Sequence, residues 1–159
     1  MLQYVKGDLI TMAFDGQFDV IVHGCNCFNS MGSGIAKQIR ERCEPAWIAD
    51  QQSEWGDYNK LGNYTYGLIP KNKGFVVINA YTQYEFNKGS ERADLFEYTS
   101  FQLILQKFLH DFSDVKIGFP MIGMGLAGGD KTRIIGMIED FAIKAAEKNC
   151  QTSLVEFGV

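Results

Sequence analysis

Hydrophobic residues fall along this chain in two rhythms. Short β-branched or aromatic runs bounded by glycine or polar residues occupy positions 3–5, 19–23, 64–69, 75–80, 115–119 and 153–157, and each predicts a strand. The runs at 64–69 and 75–80 flank Pro70-Lys71-Asn72-Lys73-Gly74, a loop of hairpin length ending in glycine, so these two strands are expected to pair antiparallel. Elsewhere the spacing is helical. Ile35, Ala36, Ile39 and Cys43 share one face, and Phe101, Ile104, Leu105, Phe108, Leu109 and Phe112 recur at i, i+3, i+4 and i+7. A third helix over 131–148 turns Ile134, Ile138, Phe141, Ala142 and Ala145 inward. Trp47 and Trp55 bracket Gln51-Gln52 in a segment expected to pack on the sheet.

Strands that alternate with helices, and a run such as Val20-Ile21-Val22 that is apolar without alternation, predict a sheet covered on both faces. The expected class is α/β, a three-layer α/β/α sandwich with a mixed, mostly parallel central sheet. No repeat, low-complexity tract or linker interrupts the pattern, and Pro45, Pro70 and Pro120 each sit where an element would start or stop. With 159 residues and 46% hydrophobic content, the expectation is a single domain over 1–159.

Charge and cysteine usage narrow the function classes. Fifteen basic against 19 acidic residues give a net charge of −4 without a Lys/Arg block, so duplex nucleic acid is not an expected partner. No apolar run approaches the roughly 18 residues that span a bilayer, and no basic-then-apolar leader opens the chain, so neither a membrane nor secretion is expected. Cys25, Cys27, Cys43 and Cys150 include a Cys-x-Cys pair but no Cys-x-x-Cys, which reads as reduced thiols in a cytoplasmic setting. His23 and His110 lie far apart with no second cysteine pair to complete a tetrahedral site, so no metal is expected.

Open α/β sheets take ligands outside the carboxyl ends of their strands. Two such ends carry unusual loops, 24–34 and 120–130, each leading into a helix. Five of the 17 glycines lie between Gly118 and Gly129, a density that lets main-chain N–H groups approach an anion with no Cβ in the way. A helix start behind each loop adds unpaired donors and a positive dipole end. Neither loop has the Lys-Ser or Lys-Thr of a P-loop, and neither has the acidic residue about 20 positions on that marks a dinucleotide fold.

Lys6-Gly7-Asp8-Leu9-Ile10, His23-Gly24-Cys25-Asn26-Cys27 through Met31-Gly32-Ser33-Gly34-Ile35-Ala36, and Pro120-Met121-Ile122-Gly123-Met124-Gly125-Leu126-Ala127-Gly128-Gly129 follow the order and spacing of a known family. Over essentially its whole length the chain resembles the macro domain family, whose members bind ADP-ribose and related metabolites. Asn79-Ala80-Tyr81-Thr82-Gln83-Tyr84 is similar to a segment common in the branch that contains ADP-ribose 1''-phosphate phosphatases and terminal ADP-ribose glycohydrolases.

The resemblance implies a small-molecule partner, ADP-ribose or a derivative, or an ADP-ribosylated macromolecule, and no cofactor. It implies that Asp8, with Leu9 beside it, accepts from the adenine amino group and that Phe157 packs against adenine. Gly32, Gly34, Ile35 and Ala36 would face one side of the diphosphate, and Ile122, Gly123, Met124, Gly125, Leu126 and Ala127 the other. Asn26, with Asn29 as a second candidate, would lie near the distal ribose, where its amide could bond the ribose hydroxyls or orient a water and so count as a candidate catalytic residue.

Three activities fit the resemblance: phosphate removal from ADP-ribose 1''-phosphate, cleavage at C1'' of the distal ribose, or binding alone. For the phosphatase, the expected reading, His23 is the candidate proton donor or nucleophile and Asp130 its orienting acid. For the glycohydrolase, Lys60 in Lys60-Leu61-Gly62 matches that branch's lysine, which could form a Schiff base. The branch also places an Asp directly after the second loop's Gly-Leu, where this chain has Ala127. Each candidate has a structural alternative: His23 bonded within the sheet, Asp130 capping the last helix, Lys60 solvated at the hairpin edge, Phe157 in the core.

Overall fold

The computed structural model describes residues 1–86 and 95–158. In chain order the elements are β1 (Gln3–Gly7), α1 (Leu9–Phe14), β2 (Val20–Cys25), α2 (Gly34–Arg42), α3 (Glu44–Gln51), a 3-10 turn at Tyr58–Lys60, β3 (Tyr64–Ile69), β4 (Phe75–Tyr81), α4 (Tyr98–Asp111), β5 (Lys116–Phe119), α5 (Lys131–Ala146) and β6 (Gln151–Phe157). The strands form one sheet in the order β1-β6-β5-β2-β4-β3. Every neighbouring pair is parallel except β3 with β4, the expected hairpin.

Strand parity divides the sheet into two buried layers. Val20, Val22, Ile78, Ile117 and Phe119 face α4 and α5, where they meet Phe101, Ile104, Phe108, Ile134 and Ile138. Ile21, Cys25, Val77 and Tyr81 face the other way, onto Ile10, Ile39 and Ala46 of α1, α2 and α3. Each such side chain withdrawn from water contributes about 1.5–3 kcal/mol. Because β2 and β4 are covered on both sides, their sequences are apolar without a period.

Two helices were not legible in the hydrophobic rhythm. α1 has only six residues, too few for a 3.6 period to declare itself, and it is fixed at its start by Asp8, whose carboxylate accepts from Ile10 and Thr11 N–H at 3.1 Å. α3 begins at Glu44 with Pro45 in its first turn, where the missing N–H has no helical partner to lose. α3 lies so close to β3 that a Cβ on Gly67 would sit 2.3 Å from the Ala46 nitrogen, so only glycine permits that approach. Trp47 is partly buried on this layer, whereas Trp55, expected on the sheet beside it, stays 71% exposed.

Candidate ligand-binding cleft

All the parallel strands end on the same side of the sheet, so their carboxyl ends form a row. Asp8 and Phe157 stand at one end of it, the loop after β5 and the loop after β2 in the middle, and Thr82 after β4 at the other end. Between the two middle loops opens a cleft of about 590 Å³. Its walls are the expected Asn26, Gly32, Gly34, Ile35 and Ala36 on one side, and Ile122, Gly123, Gly125, Leu126 and Ala127 on the other.

α2 presents its first turn to this space. Ser33 is its N-cap residue but makes no side-chain capping bond, so the N–H groups of the first turn have no partner inside the helix. Across the cleft, the second loop is folded on itself by Gly129 N–H to Gly123 O at 2.7 Å and Gly128 N–H to Gly125 O at 3.0 Å. Gly123 has φ +73°, and a Cβ there would meet the Phe96 ring at 2.3 Å. The N–H groups of Gly123 and Gly125 make no backbone hydrogen bond among the described residues. Two sets of main-chain donors therefore confront one another.

Asn26 lines the cleft, and its side chain shapes the first loop. Its Oδ1 accepts from Phe28 N–H at 2.9 Å, and its Nδ2 donates to Ser30 O at 2.9 Å. The sequence reading did not single out Ser30, Ser33, Thr82, Gln83, Phe86 and Met121 as ligand contacts, yet all six line the same space. The first two lie inside the first loop and Thr82 directly follows a buried strand, so position relative to β2 and β4 was the available signal. Thr82 Oγ1 is buried without a hydrogen-bond partner among the described residues.

The four candidate catalytic residues are not brought together. His23 faces the α1–α3 layer because strand parity puts it beside Ile21 and Cys25, and it is fully buried. Its Nε2–H donates to Asn79 Oδ1 at 2.7 Å, while Asn79 donates to Ala46 O and Thr65 Oγ1. Burial pulls the His23 imidazole down to about 4, with the Asn79 bond opposing, so the ring is neutral near pH 7. Asp130 is exposed and caps α5, accepting from Arg133 N–H at 2.9 Å.

Lys60 is neither a solvated lysine nor a cleft residue. It is buried behind the first loop, donating to Asn29 Oδ1 at 2.6 Å and Cys27 O at 3.2 Å, with its ammonium 4.6 Å from the Tyr81 ring centroid. Burial lowers its pKa against the opposing field of Asp50, which accepts from Tyr81 Oη–H at 2.8 Å. Asn29, at φ +55°, is thus a fixed corner of the loop.

At the far end of the row, Asp8, Leu9 and Phe157 stand outside the cleft, as does Met124 within the second loop. Asp8 adds an ion pair with Arg42 at 3.3 Å to its capping bonds. Leu9 is buried against Gly118. Phe157 ends β6 with 76% of its surface exposed, so it is not core.

An α/β/α sandwich with glycine-rich loops above the carboxyl ends of its middle strands defines an α/β protein with a ligand cleft at the edge of a mixed sheet. No family model matches the sequence. The chain is 34% identical over 151 residues to an uncharacterized 17.5 kDa protein of the tk-vs intergenic region of Enterobacteria phage T4, covering 91% of this chain and 92% of that one. It is 28% identical over 141 residues to an ADP-ribose 1''-phosphate phosphatase of Candida albicans, covering 80% of this chain and 85% of that one.

Among solved structures, the macrodomain of Mycobacterium tuberculosis DarG matches with a TM-score of 0.76 at 18% identity, over 98% of this chain and 97% of that chain. Thermosipho africanus DarTG in complex with ADP-ribose matches with a TM-score of 0.73 at 13% identity, over 99% of this chain and 42% of that chain. The chain therefore has the fold of these macrodomains.

Proposed function

We propose that the cleft binds ADP-ribose or a derivative, and that the protein removes the phosphate from ADP-ribose 1''-phosphate. The observation that carries the binding is the uncapped first turn of α2 facing the N–H groups of Gly123 and Gly125. A diphosphate between them would satisfy both sets of donors. The row of strand ends then orients the ligand. Adenine lies towards Asp8 and Phe157, and the distal ribose towards Asn26 and Thr82. Asp8 would share its carboxylate between Arg42 and the adenine amine.

The phosphatase reading draws on the similarity to the Candida albicans enzyme. No titratable side chain lines the cleft among the described residues, and in the proposed step the attacking oxygen is that of water. Its bond to phosphorus forms as the bond from phosphorus to the 1'' oxygen breaks. The ribose keeps that oxygen and takes the water's proton, and inorganic phosphate leaves. His23, neutral and bonded to Asn79 behind the strand, has no part in this step.

The same uncharged lining favours a second reading, in which the protein binds ADP-ribose without turnover. Glycohydrolase chemistry through Lys60 would require its amine to leave Asn29 and the Cys27 carbonyl and cross the loop. A phosphorus NMR time course with ADP-ribose 1''-phosphate tests these readings. The expected result is broadening of the diphosphate resonances together with growth of inorganic phosphate, both persisting in His23→Gln. Broadening without phosphate growth would leave binding alone, and unchanged spectra would overturn the cleft's assignment.

A further inference from the structure

Beyond the distal-ribose end the cleft does not close. It shares Ser30 and Phe86 with a second hollow of about 370 Å³, whose other walls are Phe28, Trp55 and Glu85. Trp55 is 71% exposed there, outside the core.

The aromatic surface is preorganised. Phe28 meets Trp55 and Tyr84 edge-on, each at 4.9 Å between centroids, and Tyr58 stacks on Tyr84 at 3.6 Å with an interplanar angle of 4°. The turn that carries Trp55 is tied to the first loop. Gly56 N–H donates to Cys27 O at 2.7 Å, and Tyr84 Oη–H donates to Gly56 O at 2.8 Å. Glu85 is the one charged side chain lining the hollow among the described residues, and its carboxylate forms no ion pair among them.

Aromatic faces beside a carboxylate with no ion partner among the described residues complement a flat positive group, attracted by the ring quadrupoles and the carboxylate together. We propose that this hollow is a subsite for a planar cation carried at C1'' of the ligand's distal ribose, a pyridinium or a guanidinium. The proposal rests on the ADP-ribose reading of the cleft and not on the reaction assigned to it. A planar cation and a phosphate at C1'' occupy the same end of the cleft, so ligands of the two kinds compete.

Calorimetry on the full chain with four ligands tests it: ADP-ribose, oxidised NAD, reduced NAD and arginine N-ADP-ribosylated on its guanidinium. Oxidised and reduced NAD differ at the ring, which is flat and positive in one and uncharged in the other. The expected result is about tenfold tighter binding of oxidised than reduced NAD. That preference disappears in Trp55→Ala and shrinks in Glu85→Gln, with ADP-ribose affinity unchanged in both. Glu85→Gln changes only a surface charge, so it reports on the hollow even if Trp55→Ala folds poorly.

Preference for the arginine conjugate over ADP-ribose, without one for oxidised NAD, assigns the hollow to a guanidinium. No preference for either cation over ADP-ribose overturns the subsite while leaving the cleft intact. Loss of ADP-ribose binding itself overturns the cleft reading and the subsite with it.

Discussion

Two helices begin beneath glycine-rich loops at the same edge of the sheet, and they begin differently. α5 supplies its own anion: the Asp130 carboxylate accepts from Arg133 N–H, and the Asp130 main chain is held by Tyr98 Oη. α2 has Ser33 at the equivalent place with no capping bond, and its first turn opens on the cleft. A helix start that holds its own carboxylate has little left for a ligand, whereas one left uncapped has donors and a positive dipole end to offer. In the proposed binding mode the second loop contributes through its own N–H groups ahead of α5, and the first contributes through the helix itself.

Four changes test how the two loops are held. The largest effect is expected from Gly123→Ala, which combines a left-handed backbone at φ +73° with a Cβ 2.3 Å from the Phe96 ring. It should cost about 4 kcal/mol in denaturant unfolding, and no effect would mean that the second loop is not held as described.

Next comes acid sensitivity in the floor of the first loop. The unfolded imidazole of His23 takes a proton below its ordinary 6.5, the folded one only below about 4. This contribution is fully present above 6.5 and falls away through that window, by about 3 kcal/mol in all. Stability measured from pH 7 to 4 should have a shallower slope in His23→Gln, which keeps a donor for Asn79.

Ser33→Asp should make α2 resemble α5. A carboxylate at that cap opposes the diphosphate, and ADP-ribose affinity should fall about a hundredfold while thermal unfolding moves upward. If affinity and stability both rose, the uncapped turn would not be the anion site. The smallest effect is the converse one. Asp130→Ala should lose about 1 kcal/mol of stability with ADP-ribose affinity unchanged by calorimetry.

Much of this fold could be read from residue spacing. All six strands and the three longer helices lie close to their predicted positions, because amphipathic helices and apolar runs record which surfaces leave water. The 3-10 turn and the two short helices escaped for local reasons: α1 spans six residues and α3 eight, too few apolar positions to declare a helical period even with Pro45 marking the start of α3. Of the cleft, the loops were legible through their glycines. The orientation of His23 was not, since a strand apolar on both faces gives no hint of which layer a polar residue joins. Lys60 was also opaque, because its burial depends on Cys27 and Asn29, more than 30 residues away in sequence.

A cleft that binds through peptide groups, as proposed here, also bears on how such a site can be inherited. Side chains drift freely between relatives, but a main-chain N–H persists through every substitution except proline, provided the loop keeps its course. Gly123 and the self-bonded turns around it are what hold that course. A family built this way can diverge until little sequence identity remains and still keep the same grip on its ligand. Scanning mutagenesis that replaces one side chain at a time would then under-report the surface on which binding depends.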